Sequence, residues 1–292
     1  MNWIEIALLL TTGTLAGVIN AVVGSGSLVT FPTLVALGYP PVLANVTNNI
    51  GVLPGSVSAA IAYRRQLAGQ WRTVLPLAAF SAAGGAIGAV LLLILPAAAF
   101  DAVVPVLILL ACVLVLIGPA LKKRIDARKP DRNSSMTSAS GLVIGHNPTA
   151  LSYSAAGIVD AANQDEIRYE QVADTRRTRG LITTVGLTGI YGGYFGAAQG
   201  VILLSMLMLL VRGGIQRANA YKNVFAATAN GAAAVVFVFT TPVAWLAALL
   251  VVIGAIVGGQ LGGRVGRLIP EIVYRIIIVI IGFAAIVYFY AT

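Results

Sequence analysis

The chain has 292 residues, 58% of them hydrophobic and only 10% charged, with a net charge of +9. A soluble domain carries roughly 25% charged residues, so this composition excludes a wetted globular surface and points to a polytopic membrane protein. The Lys and Arg residues sit in loops between apolar runs, which fits positive-inside topology better than nucleic-acid binding.

The first apolar run, Trp3–Val23, lacks a basic leader and reads as a retained span rather than a cleaved signal peptide. It leads into "GVINAVVGSGSLVTFP" (Gly17–Pro32), where small and polar residues interrupt the apolar pattern. Trp3–Leu37 therefore reads as one interrupted segment. Three ordinary spans follow, at about Asn45–Tyr63, Val74–Leu95 and Val103–Leu121. Lys122–Arg179 begins with the basic "KKRIDARKPDR" and continues through the linker-like "NSSMTSAS". Its run 142–158 is too polar for a span, and "NQDEIRYEQVADTRR" has the look of a short surface helix. A second interrupted segment, Leu181–Val211, carries "YGGYFGAAQG" (Tyr191–Gly200) at its centre. The last spans are about Asn219–Thr240, Val243–Gly263 and Ile276–Tyr290.

The two sets of elements match at an offset of 174 residues (44 to 218). Ala44, Asn45 and Asn49 match Ala218, Asn219 and Asn223; Trp71 matches Trp245; Gly84, Gly85 and Gly88 match Gly258, Gly259 and Gly262; Pro96 matches Pro270. Gly17 and Gly24 match Gly189 and Gly196 at an offset of 172 (17 to 189). Corresponding loops differ in charge. The loop with Arg64, Arg65 and Arg72 is basic and its counterpart 240–245 is not; the loop 96–101 lacks basic residues and its counterpart carries Arg264, Arg267 and Arg275. Opposite charge in matching loops is the mark of an inverted-topology repeat, which needs an odd number of crossings per half. The expected fold is an all-α polytopic membrane protein of two inverted repeats, each a re-entrant segment plus three transmembrane helices. Residues 1–121 form the first repeat, 122–180 a cytoplasmic basic insertion, and 181–292 the second repeat.

Helix breaks inside a bilayer survive only where backbone is buried in protein or lines a cavity. Transporters aim half-helix N-termini from such breaks at anionic groups. Small residues allow close backbone approach at the tips, where Ser25, Gly26, Ser27, Gln199 and Gly200 are candidate ligands. "GAIGA" (Gly85–Ala89) and "GGQLGG" (Gly258–Gly263) read instead as helix-packing motifs. Polar clusters open the next spans: "ANVTNN" (Ala44–Asn49) and "ANAYKN" (Ala218–Asn223). Asn45 and Asn219 fit helix N-caps as well as a cavity wall. Asn48, Asn49, Lys222 and Asn223 lie a turn deeper as ligand candidates, with snorkelling open for Lys222. Asn230 and its mate Ser56 fit either cavity lining or helix–helix contact. The expected spans carry almost no deep carboxylate, so a proton relay of Asp or Glu is not expected. Lone Cys112 and lone His146 offer no disulfide and no metal cluster, and neither a cofactor nor a catalytic constellation is expected.

The stretches "AGVINAVVGSGSLVTFPTL … ANVTNN", "YGGYFGAAQG … RANAYKN … N", "GAIVGGQLGG" and "RIIIVIIGFAAIVY" resemble the TauE/SafE sulfite exporter family of bacterial permeases. The resemblance covers both membrane halves and not 122–179. It implies outward transport of sulfite, sulfoacetate or a related organosulfonate across the cytoplasmic membrane. The family's tip motif reads close to G-x-G-G-G; here it is Gly24, Ser25, Gly26, Ser27, Leu28 and Gly196, Ala197, Ala198, Gln199, Gly200. The expected partners are a small anionic substrate and the lipid bilayer, with no nucleic acid; a homodimer stays open. The competing readings are H⁺- or Na⁺-coupled anion uptake and a non-transporting scaffold or receptor.

Overall fold

A computed structural model describes residues 1–127, 178–211, 214–265 and 271–291. The helices are α1 (Trp3–Val22), α2 (Ser27–Ala36), α3 (Pro41–Ala62), α4 (Arg64–Leu67), α5 (Trp71–Ile94) and α6 (Ala97–Ala127). They continue with α7 (178–194), α8 (Gln199–Leu210), α9 (Gly214–Thr240), α10 (Trp245–Val265) and α11 (Glu271–Ala291). The protein is an all-helical, multi-pass membrane protein. Among the described residues, five helices are long and apolar enough to cross a bilayer, over Trp3–Val22, Trp71–Ile94, Ala97–Ile117, Ile215–Thr240 and Trp245–Arg264. The expected 142–158 run and surface helix lie outside the described residues.

Three boundaries differ from the sequence expectation for physical reasons. Helix α3 starts at Pro41, a turn before Asn45, because proline suits the first helical position, where no N–H is needed. Helix α9 likewise starts at Gly214, so neither Asn45 nor Asn219 is an N-cap. Helix α6 runs on to Ala127 rather than stopping near 121, since Lys and Arg are good helix formers and suit a C-terminus.

The two chain breaks fall at 23–26 and 195–198. Each needs left-handed backbone: Gly24 has φ +87°, Gly196 +76° and Ala198 +59°. Glycine supplies that conformation without strain, whereas Ala198 occupies it at a cost of roughly 1–2 kcal/mol.

Packing sets the direction of each helix. Along α10, Gly13 lies on Val251, Thr14 on Gly258 and Val18 on Gly262, so α1 and α10 point the same way. Helix α3 also runs with α10, from Gly51 on Val251 through Gly55 on Ala255 to Ala62 on Gly263. In a second group, α7 runs with α5, from Gly189 on Ser81 to Tyr194 on Gly88. Helix α9 runs with α5 too: Tyr221 Oη donates to Gln70 Oε1 at 3.0 Å and Ser81 Oγ to the Phe225 carbonyl at 2.7 Å. Since α1 and α3 are parallel, they begin at the same end of the bundle. The 20 residues of α1 traverse it, about 30 Å, and the 10 residues of α2 with Leu37–Pro40 bring the chain back.

The glycine stripes carry this packing. Gly84 and Gly88 press on α7 and Gly85 on α9; at the 174-residue offset, Gly258 and Gly262 press on α1 and Gly259 on α3. A methyl group at any of the six would overlap backbone of the neighbouring helix. Contacts pair off elsewhere as well: α2 packs on α11 as α8 packs on α6.

Candidate functional site

The tips of the two interrupted segments meet. The Gly200 amide donates to the Gly24 carbonyl at 3.0 Å, and the two Cα atoms sit so close that a methyl on either would overlap the other. Four aromatic rings brace the junction. Phe31 of α2 meets Phe195 edge-on with centroids 5.2 Å apart, and Phe100 of α6 lies 6.0 Å from Phe195 and 5.7 Å from Tyr194.

The polar entrances of α3 and α9 each grip the opposite tip. Asn45 Nδ2 donates to the carbonyl of Tyr194, the last residue of α7, at 2.8 Å. Lys222 Nζ donates to the carbonyls of Asn20 and Ala21, in the last turn of α1, at 2.9 and 3.2 Å. The last carbonyls of a helix lack intrahelical partners, so both contacts satisfy groups that the breaks expose. Lys222 is 1% exposed and does not snorkel; among the described residues no carboxylate forms an ion pair with it. Asn20 also reaches Ser56 Oγ through its Nδ2 at 2.7 Å, which makes Ser56 a helix–helix contact.

Nine of the ten candidate residues divide into two sets, with Ser27 apart. Gly26, Asn48, Gln199, Gly200 and Lys222 are engaged in holding the junction. Gly26 lies against the Ala16 carbonyl and Asn20, Thr30 donates to Asn48 Oδ1, and Gln199 Nε2 donates to the Thr188 carbonyl at 3.1 Å. The Gly200 amide, expected to face a ligand, is spent on Gly24. Ser27 stands half-buried at the start of α2. The other four, Ser25, Asn49, Asn223 and Asn230, are buried, and among the described residues no group bonds to Ser25 Oγ, Asn49 Oδ1, Asn223 Nδ2 or Asn230 Oδ1. Asn45 Oδ1 and Asn219 Oδ1 share that condition.

These atoms are not scattered. Asn219, Asn223 and Asn230 recur at helical spacing on one face of α9, as Asn45, Asn49 and Ser56 do on α3, and α3 packs against α9. Buried polar groups in native proteins are nearly always paired, and each left unpaired costs about 1–3 kcal/mol. With Gln216 Oε1 of α9, seven such atoms on the tip, α3 and α9 form a set of hydrogen-bonding groups with capacity for a polar ligand.

Asn20 and Thr30 belong to the same network and were not singled out from the sequence. A signal for Asn20 was present: it is the single amide residue in α1, one turn before the break. Thr30 carried none, because a threonine in an apolar run more often bonds its own helix.

A family model described as sulfite exporter TauE/SafE matches residues 9–289. A probable membrane transporter protein, ORF9, of Sinorhizobium sp. is 27% identical over 249 residues, covering 85% of this chain and 78% of the relative. A probable membrane transporter protein of Haemophilus influenzae is 25% identical over 250 residues, covering 86% and 80%. Probable membrane transporter protein YfcA of Escherichia coli K12 is 26% identical over 241 residues, covering 82% and 72%. No solved structure matches the chain.

Proposed function

The chain belongs to the sulfite exporter TauE/SafE family of membrane transporters, and from that premise we propose that it moves a small sulfur-containing anion, such as sulfite or a two-carbon sulfonate, out of the cytoplasm by alternating access. It acts in the cytoplasmic membrane and performs no catalysis. The observation that carries this reading is the set of buried, unengaged amide and hydroxyl groups on the first tip, α3 and α9, next to the buried Lys222. Ser25 Oγ and Asn223 Nδ2 are donors beside one basic group, and the Asn49 and Asn230 amides, whose oxygens are the unengaged atoms, present their Nδ2 donors to an oxyanion by a half-turn about χ2. Ser25, Asn49, Asn223 and Asn230 contact the anion, and Lys222 supplies positive potential while holding the end of α1.

The same reading makes 1–121 and 181–292 inverted repeats. The paired packing of α1 on α10 and α7 on α5 supports it, and so do the basic residues at the end of the bundle where α3 and α10 finish. That end is cytoplasmic. Rocking of one group of helices against the other, with the tips as the fixed point, exposes the polar set to either side.

Leucine at Asn49 or Asn223 tests the assignment. Replacing a buried unpaired amide by a side chain of similar volume relieves a desolvation cost, so both variants insert and keep or raise the wild-type melting temperature. Anion flux in proteoliposomes falls about tenfold or more, the worth of one lost hydrogen bond to a charged group. Wild-type flux in both variants removes these residues from the site.

A further inference from the structure

Two cavities outside the tip junction share a wall. The first, of about 400 Å³, is lined by Arg64, Arg65 and Gln66 of the α3–α4 corner with Gln260 and Arg264 of α10. The second, of about 600 Å³, is an apolar groove between α3, α9 and α10 running past Leu53, Val57, Ile61, Gly231 and Ile256. Gln260 lines both, held by its Nε2 donating to the Ser58 carbonyl at 3.0 Å. The three guanidinium groups are exposed, and among the described residues no carboxylate forms an ion pair with Arg64, Arg65 or Arg264. Val57 and Ile61 are 44% and 51% exposed, so the groove opens to whatever surrounds the bundle, which for this protein is lipid.

We propose that this pair of cavities binds one anionic phospholipid, with its phosphate among Arg64, Arg65 and Arg264 and one acyl chain along the groove. Three guanidinium groups match phosphate oxygens in charge and in fork geometry. They stand where basic residues at a membrane surface select anionic headgroups. A free inorganic or sulfur anion satisfies the arginines equally well, and the apolar groove joined to them through Gln260 favours the lipid. Bound there, the lipid ties α4 to α10 and bridges α3 to α9, the helices that carry the polar set. The proposal does not depend on which anion is transported.

Native mass spectrometry of the detergent-purified full chain, titrated with phosphatidylglycerol or phosphatidylcholine of identical acyl chains, tests it. The wild type prefers phosphatidylglycerol by about tenfold or more, and the R64Q/R65Q/R264Q variant loses that preference. At Gly231 an added Cβ meets only Leu53 Cδ1, at 3.7 Å, so a larger side chain enters the groove without displacing backbone. Gly231→Phe, or Gly231→Leu where the ring impairs insertion, therefore weakens both lipids and leaves the headgroup preference in place. Equal retention of the two lipids by the wild type overturns the proposal, as does a triple variant that keeps the preference. Displacement of phosphatidylglycerol by millimolar phosphate or sulfite, with no effect of the Gly231 variants, assigns the arginines to a free anion and overturns it too.

Discussion

Valine at Gly24 or Gly200 abolishes anion flux and lowers the melting temperature, although the substituted residue adds only three carbon atoms. The tips meet through these two glycines, with the Gly200 amide on the Gly24 carbonyl at 3.0 Å. An added side chain overlaps backbone, which cannot swing aside as a flexible side chain does. Overpacking usually costs about 1–3 kcal/mol, and a backbone clash lies at or beyond the upper end. At Gly24 the φ of +87° adds strain for any other residue. The tips separate, and the carbonyls held by Lys222 and Asn45 shift with them. Gly186→Ala in α7 is the control: a methyl there meets nothing within 4 Å, and glycine is a poor helix interior, so that variant gains about 0.5–1 kcal/mol and transports normally. Detergent melting curves and flux on the same preparations read both effects. Normal transport by Gly24→Val and Gly200→Val together contradicts a role for the junction.

The second large effect is at Lys222, where transport and stability part company. In Lys222→Met the two hydrogen bonds to the Asn20 and Ala21 carbonyls are lost, each about 1.5–3 kcal/mol for a charged donor. Against this, a fully buried ammonium costs several kcal/mol to desolvate, and methionine of similar length removes that cost. The terms are of similar size, so the variant inserts and melts within a few degrees of the wild type. Flux nevertheless falls by about a hundredfold, since the site loses its positive charge and the end of α1 its anchor. Wild-type flux in Lys222→Met, measured in proteoliposomes, removes Lys222 from the mechanism. A collapse in melting temperature with flux per folded molecule unchanged makes it a structural clamp alone.

Much of the fold was legible because a bilayer leaves few choices. Apolar runs of spanning length marked the long helices, and the glycine-rich "GSGS" and "GAAQG" marked the breaks at 23–26 and 195–198. The packing role of "GAIGA" and "GGQLGG" was also readable, because their glycines recur at the spacing of a helix face. Helix α3 was legible for a different reason. Its Asn and Thr residues keep it out of the five most apolar spans, yet Asn45, Thr47, Asn48 and Asn49 are all buried against protein, as polar groups in lipid must be.

What could not be read was partnership. Gly24 aligns with Gly196 in the sequence, but it touches Gly200, so comparing the halves alone pairs the wrong glycines. Lys222 and Asn45 bond to backbone carbonyls, which carry no residue identity and leave no pattern. The division of the candidate residues into five that hold the junction and four with unused atoms followed only from hydrogen bonds between residues far apart in the chain. The arginines of the lipid cavity were visible as a topology signal, while their shared cavity depends on the crossing of α3 and α10.

The most direct test of the transport reading is flux of sulfite and of two-carbon sulfonates in proteoliposomes whose membrane potential is set by a K⁺ gradient and valinomycin. An imposed potential drives a monoanion by about 2.3 kcal/mol per 100 mV, so a facilitator built to export moves it toward the positive side with no H⁺ or Na⁺ gradient present. Flux that follows the sign and size of the potential is the predicted result. Flux that appears only with a cation gradient, or none for any sulfur anion tested, contradicts it.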